Sequence, residues 1–153
     1  MTVPQRIERE ILIAAPIDVV WSVVTEPEHI GGWFSDSVEL DLRPGGKAVF
    51  HWDKHRTAHG RVERVEPPRF FSFTWTVDPA LDTTEGNATL VEFSLNEEGD
   101  STRLKVVESG FQDLAVSDDE KQRHVDGHTR GWRIELGELK DYAERATGSR
   151  ADG

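Results

Sequence analysis

The stretch Ser117–Thr147, SDDEKQRHVDGHTRGWRIELGELKDYAERAT, decides how the rest of the chain must be arranged. It opens on Ser117-Asp118-Asp119-Glu120, a capping box in which the serine hydroxyl and the Glu120 side chain satisfy exposed amides reciprocally. Apolar, aromatic or imidazole side chains then recur as Val125, His128, Trp132, Leu136, Leu139 and Ala143. Those steps of three and four place them on one helical face. Asp126, Arg130, Arg133, Glu138, Lys140, Asp141 and Glu144 fall mainly elsewhere, as a solvated face requires. From Asp118 to Ala146 such a helix would span roughly 40 Å at 1.5 Å per residue. Gly127, Gly131 and Gly137 each weaken a helix by about 1 kcal/mol relative to alanine. They read as points of close backbone approach or a bend, with Gly127 and Gly131 able to mark a break. Beyond them, 147–153 is small and polar and reads as a disordered tail, which leaves 1–146 as a single domain.

A stripe that long needs an apolar surface to lie on, and the preceding residues supply strands. Ile7, Ile11 and Ile13 alternate in a first strand and point inward, carrying Arg9 inward or to the rim. Pro16 starts a helix with Ile17, Val20, Trp21 and Val24 on one side. Thr25-Glu26-Pro27-Glu28 reads as a second capping box, opening a short helix that Gly31-Gly32 ends before Trp33-Phe34. Six strands follow, at Ser37–Leu42, Lys47–Asp53, Ala58–Val65, Arg69–Val77, Ala88–Asn96 and Ser101–Ser109. The plainest alternation sets Phe71, Phe73, Trp75 and Val77 against Ser72, Thr74 and Thr76. Asp78–Asn87 is a polar loop, and its Leu81 is expected to act as a latch at a cavity mouth. The order predicts an α+β fold: an antiparallel sheet with one apolar face and helices gathered against it.

Composition narrows the partners. The 153 residues carry a formal net charge of −11, which argues against nucleic acid and anionic membrane surfaces. Cysteine is absent, which excludes disulfides and thiolate chemistry. The start, MTVPQRIERE, has no apolar run, so neither a signal peptide nor membrane insertion is expected and the location reads as cytoplasmic. No cofactor is implied, and a homodimer is compatible with the reading.

The inward face is unusually aromatic: Phe50, Trp52, Phe71, Phe73, Trp75 and Phe93. Such rings either fill a core or wall a small-molecule cavity, and the pattern leaves both open. Three histidines, His51, His55 and His59, resemble a ligand set, with His51 and His59 opposed across a hairpin and His55 at its tip. They point outward, however, and a metal needs convergent ligands, so no metal site is expected. Glu108 ends its strand on the inward parity of Leu104 and Val106. His128 lies one turn before Trp132 on the buried stripe, within reach of a ligand or of Glu108. A carboxylate at the edge of an apolar cavity serves in acid–base chemistry, or is simply bonded to water or Arg9.

Together these stretches resemble the START-like (SRPBCC) superfamily and, within it, the AHSA-type domains named after the activator of heat-shock protein 90 ATPase. The resemblance rests on Ile11-Leu12-Ile13-Ala14-Ala15-Pro16 with Val20-Trp21, on Thr25–Ile30 with Trp33-Phe34, and on Pro44-Gly45-Gly46. It continues through Val62–Arg69 to Phe73-Thr74-Trp75, then Ser101–Leu104 with Glu108-Ser109-Gly110-Phe111, and Gly131-Trp132 with Leu136 and Leu139. It implies a helix-grip fold, a curved sheet wrapped around the C-terminal helix with a hydrophobic cavity between them. The expected function is non-catalytic binding of a hydrophobic or aromatic small molecule. The expected ligand contacts are Trp33, Phe50, Trp52, Phe71, Phe73, Trp75, Phe93, Glu108, Phe111, His128 and Trp132. The alternatives are a cyclase- or dehydratase-type enzyme using Glu108 and His128, and a protein-interaction module. The eukaryotic chaperone activators carry a separate N-terminal domain ahead of this module, so a chaperone partner is not expected. The family name brings an association with stress response.

Overall fold

A computed structural model describes residues 6–53, 56–77 and 86–152. The elements are β1 (Arg6–Ile13), α1 (Ile17–Thr25), α2 (Pro27–Ile30), β2 (Ser37–Leu40), β3 (Lys47–Asp53), β4 (Arg56–Glu66), β5 (Phe70–Thr76), β6 (Ala88–Glu98), β7 (Ser101–Ser109) and α3 (Asp118–Asp152). A short 3-10 turn at Phe111–Asp113 joins β7 to α3. All seven strands form one antiparallel sheet in the order β1-β7-β6-β5-β4-β3-β2. The first strand thus returns to pair with the last, and the middle of the chain is a meander of neighbouring hairpins. With α3 lying on the concave side, this is the expected α+β helix grip.

The periodicities account for most of the core. Val125, Trp132, Leu136, Leu139 and Ala143 are buried along α3, and Phe71, Phe73, Val91, Phe93, Leu104 and Val106 meet them from the sheet. Ser117 caps α3 through its Oγ, which accepts from the Glu120 amide at 3.2 Å. Helical backbone runs on to Asp152, drawing in the polar stretch expected to form a tail. Once a helix is nucleated, each added residue needs only one further hydrogen bond to continue it.

Three local expectations are corrected. Thr25 does not cap α2; it closes α1, its hydroxyl donating to the Trp21 carbonyl at 2.7 Å, while Glu26 takes the N-cap position of α2 without a side-chain cap bond. A buried hydroxyl in the last turn of one helix is better satisfied by that helix's own carbonyl than by reaching forward past Pro27. Close approach falls instead at Gly60, where a Cβ would sit 1.9 Å from the Thr74 carbonyl oxygen, and at Gly32, where it would sit 2.3 Å from the Tyr142 ring. At Gly127, Gly131 and Gly137 a Cβ would meet nothing within 4 Å, and α3 continues through all three. Finally, His51 pairs with Thr57 and His59 with Val49, so the two histidines are diagonal rather than opposed. The hairpin register is offset by two residues from the sequence reading, and His51 instead bonds Thr57 Oγ1 and Glu39 at 3.2 Å each. That bond, with Lys47 beside it, holds the Glu39 carboxyl below its ordinary value. His55, and residues 78–85 with Leu81 among them, lie outside the described residues.

Candidate functional site

Strand register assembles the site. Trp75 on β5 stands opposite Thr89 on β6, and Glu108 on β7 stands opposite Val91, two residues further along the same strand. Trp75, Thr89 and Glu108 therefore lie on one inward diagonal, within reach of one another. From above, α3 lowers His128 and Trp132, one turn apart, onto that diagonal.

The Glu108 carboxylate is completely buried and all its polar neighbours can donate. Oε1 accepts from Trp132 Nε1 at 2.8 Å, and His128 Nδ1 spans the two oxygens at 2.8 and 2.9 Å. Oε2 accepts from Trp75 Nε1 at 3.0 Å and from Thr89 Oγ1 at 2.5 Å. Burial pushes this carboxyl upward, but the His128 hydrogen bond and charge, with those of Thr89 and Trp75, outweigh it and hold the group below its ordinary value. An ionised carboxylate can only accept, so His128 must carry a proton on Nδ1. Arg9, the partner considered from sequence, is not among these donors.

A cavity of about 520 Å³ opens on the other side of His128. Its aromatic walls are Phe34, Trp52, Trp75 and Trp132, with Phe34 stacked on Trp132 at 5.6 Å and on Trp75 at 5.7 Å between centroids. Trp52 sits where the β3–β4 register slips between His51 and Asp53, a bulge that re-aims its ring. Arg56 lies over that ring, 5.0 Å from its centroid. Arg130, Ile134 and Glu135 complete the rim, and Gly127 and Gly131 form a smooth strip of wall between side chains. Glu135 is pushed up to about 7, first by burial, then by Glu138, against the opposing charge of Arg56.

Of the residues read from sequence, Trp52, Trp75, His128 and Trp132 line this cavity. Glu108 stands behind it, and Phe111 is buried edge-on to His128 at 5.5 Å. Trp33, Phe50, Phe71, Phe73 and Phe93 instead pack around a neighbouring space of only about 10 Å³, too small for any ligand, and Trp33 Nε1 is taken up by the Val23 carbonyl at 2.9 Å. Strand parity makes the rings of β3, β5 and β6 equivalent, whereas depth along the strand separates core from cavity wall. The expected ligand contacts did not include Phe34, Arg56, Thr89 or Glu135. Helical spacing was a signal for Glu135, which lies three residues after Trp132; nothing local distinguished Phe34 from Trp33. The one described group with metal-ligand proximity is Glu26, Glu28 and His29, whose ligand atoms lie within 4.8 Å at the surface, with His29 Nδ1 already bonded to the Tyr142 hydroxyl at 2.9 Å.

The glycine strip gives a paired expectation. Gly131→Ala should raise stability by about 1 kcal/mol, because the new methyl meets open space. That corresponds to roughly 2–4 °C in Tm. The same methyl narrows the cavity, so any small molecule held there should bind less tightly. Gly137→Ala, away from the cavity wall, should give the stability without the loss of affinity. Thermal melts and ligand titrations of both variants check this; an unchanged affinity in Gly131→Ala would place the ligand elsewhere.

A curved antiparallel sheet closed over by a long C-terminal helix, with a cavity between them, defines a START-like domain. The chain belongs to the family described as Activator of Hsp90 ATPase homolog 1-like protein, whose model matches residues 14–144. Solved structures agree. A protein of Mesorhizobium loti is 23% identical with a TM-score of 0.79, the match covering 92% of this chain and 98% of that one. One from Bacillus halodurans is 28% identical, TM-score 0.74, over 94% and 100%. The Aha1 dimer from Colwellia psychrerythraea is 18% identical, TM-score 0.71, over 91% and 96%. Among the described residues no helix is long and apolar enough to cross a membrane.

Proposed function

We propose that this domain binds a flat, largely apolar aromatic molecule in the cavity walled by Phe34, Trp52, Trp75 and Trp132. The observation that carries the reading is that cavity: about 520 Å³, within the range of small-molecule sites, with four aromatic walls and a few polar groups at one end and the rim. Stacked and edge-on rings favour a planar guest, and His128 offers it a hydrogen bond. Family membership supports a ligand-holding fold, and the binding reading needs no reaction. The dimeric Colwellia relative makes self-association worth measuring by sedimentation alongside binding.

Tryptophan emission tests it. Titration with naphthalene- and indole-based probes should quench emission saturably. Trp52→Phe and Trp75→Phe should remove much of the change, whereas Trp33→Phe should leave it intact, since Trp33 lies in the packed core. Trp75→Ala should weaken binding roughly tenfold, about 1.4 kcal/mol. Emission unmoved by the whole panel would overturn the reading.

A further inference from the structure

His128 is placed as more than a wall. Its Nδ1 is committed to Glu108, and its ring is held edge-on by Trp75 at 6.1 Å and Phe111 at 5.5 Å. Glu108 is fully buried, whereas the His128 side chain is 23% exposed and lines the cavity. The exposed edge must be the one facing away from Glu108, which carries Nε2. Among the described residues none takes that nitrogen in a hydrogen bond; the neighbouring His124 stands ring to ring with His128, at 6.4 Å between centroids. With the proton fixed on Nδ1, a neutral His128 presents a lone pair on Nε2 to whatever occupies the cavity. The carboxylate behind it stabilises the imidazolium formed when that lone pair takes a proton. This is how a buried carboxylate equips a histidine as a base.

We propose that Glu108 and His128 form a general-base dyad facing the aromatic cavity, with His128 the catalytic residue and Glu108 its positioning residue. The substrate class is an aromatic or conjugated carbon acid, a molecule with a C–H bond made acidic by an adjacent carbonyl, imine or heteroatom. Nε2 takes the proton and the C–H electron pair moves into the substrate's π system, as an enolate or by expelling a leaving group. Imidazolium then returns the proton to water or product. The other charged or titratable groups of the cavity, Arg56, Arg130, His124 and Glu135, stand around it and its rim. The proposal rests on the cavity being the binding site.

The probe is 5-nitrobenzisoxazole, a flat carbon acid. Loss of its C–H proton to Nε2 forms the nitrile and breaks the N–O bond, releasing a coloured cyanonitrophenolate with no co-reactant. The wild-type chain should turn it over, and His128→Gln should lower kcat/KM by about 100-fold or more with little change in KM. Nitrogen NMR of the histidine-labelled wild-type chain, with His128 assigned by its loss in His128→Gln, should show the neutral ring as the tautomer protonated on Nδ1. A His128→Gln rate within about threefold of wild type, or a neutral ring that carries its proton on Nε2, overturns the dyad. Saturable tryptophan quenching by the probe without turnover overturns the dyad and leaves the binding site standing. No quenching at all overturns both.

Discussion

Glu108→Ala is expected to cost about 3–5 kcal/mol, because it removes the acceptor from a buried charged cluster and leaves its donors behind. His128 Nδ1 and Trp132 Nε1 would have no acceptor, and only Trp75 Nε1 would keep an alternative, Thr89 Oγ1 at 3.1 Å. Spread over a chain of this size, the loss corresponds to roughly 6–20 °C in Tm. Glu108→Gln should cost less, about 1–3 kcal/mol. Its amide nitrogen can turn toward Thr89, which then accepts, while its oxygen serves Trp132 and His128. The order of the two variants is thus a signature of the donor arrangement. The carboxyl's folded value is depressed below its ordinary 4.5. In that window the unfolded chain binds the proton more readily, so the stabilisation is present above 4.5 and is lost as pH falls through the folded value. Denaturant titrations from pH 7 downward should show a flatter acid limb in Glu108→Ala than in wild type. A stability change within about 0.5 kcal/mol would mean that Glu108 is not the centre of the cluster.

Trp132→Ala should be comparably severe, about 3–5 kcal/mol, since a buried indole is deleted from the middle of the α3 stripe. The ring stacks on Phe34, meets Phe93 edge-on at 5.8 Å and stands 6.1 Å from Trp75. Trp132→Phe separates its two roles. Phenylalanine keeps much of the stacking and loses the donor to Glu108, so a cost of about 1.5–3 kcal/mol is expected from the hydrogen bond to a charged group. If Trp132→Phe is neutral, the indole serves packing alone and the carboxylate is held by its other donors. Chemical denaturation of both variants, with circular dichroism to follow α3, decides between these outcomes.

Both residues are legible in the sequence, for different reasons. Trp132 sits on a stripe of three- and four-residue steps, a pattern that the geometry of a single helix imposes. Glu108 shares the parity of Leu104 and Val106, and in a strand next-but-one residues share a face. Even the partnership of Glu108 with His128 was among the sequence possibilities, since both were read as pointing inward. The seven strands and three helices followed from the same local periodicities and from turn residues. The errors were of another kind. Thr25 looked like a cap because Thr-x-x-Glu fits one, yet the competing carbonyl of Trp21 belongs to the same helix and lies nearer.

What the sequence by itself determined, then, is which residues face inward and which helix closes the sheet, because those depend on bonds between near neighbours in the chain. Only the tertiary structure decided that Phe34 rather than Trp33 walls the cavity, and that Phe71, Phe73 and Phe93 belong to the core. It also decided that Gly127 and Gly131 spare room beside His128 instead of admitting a neighbouring backbone. Those outcomes turn on the curvature of the sheet and the register between distant strands. Both set how far α3 stands from each ring, and neither leaves a period in the sequence to be read.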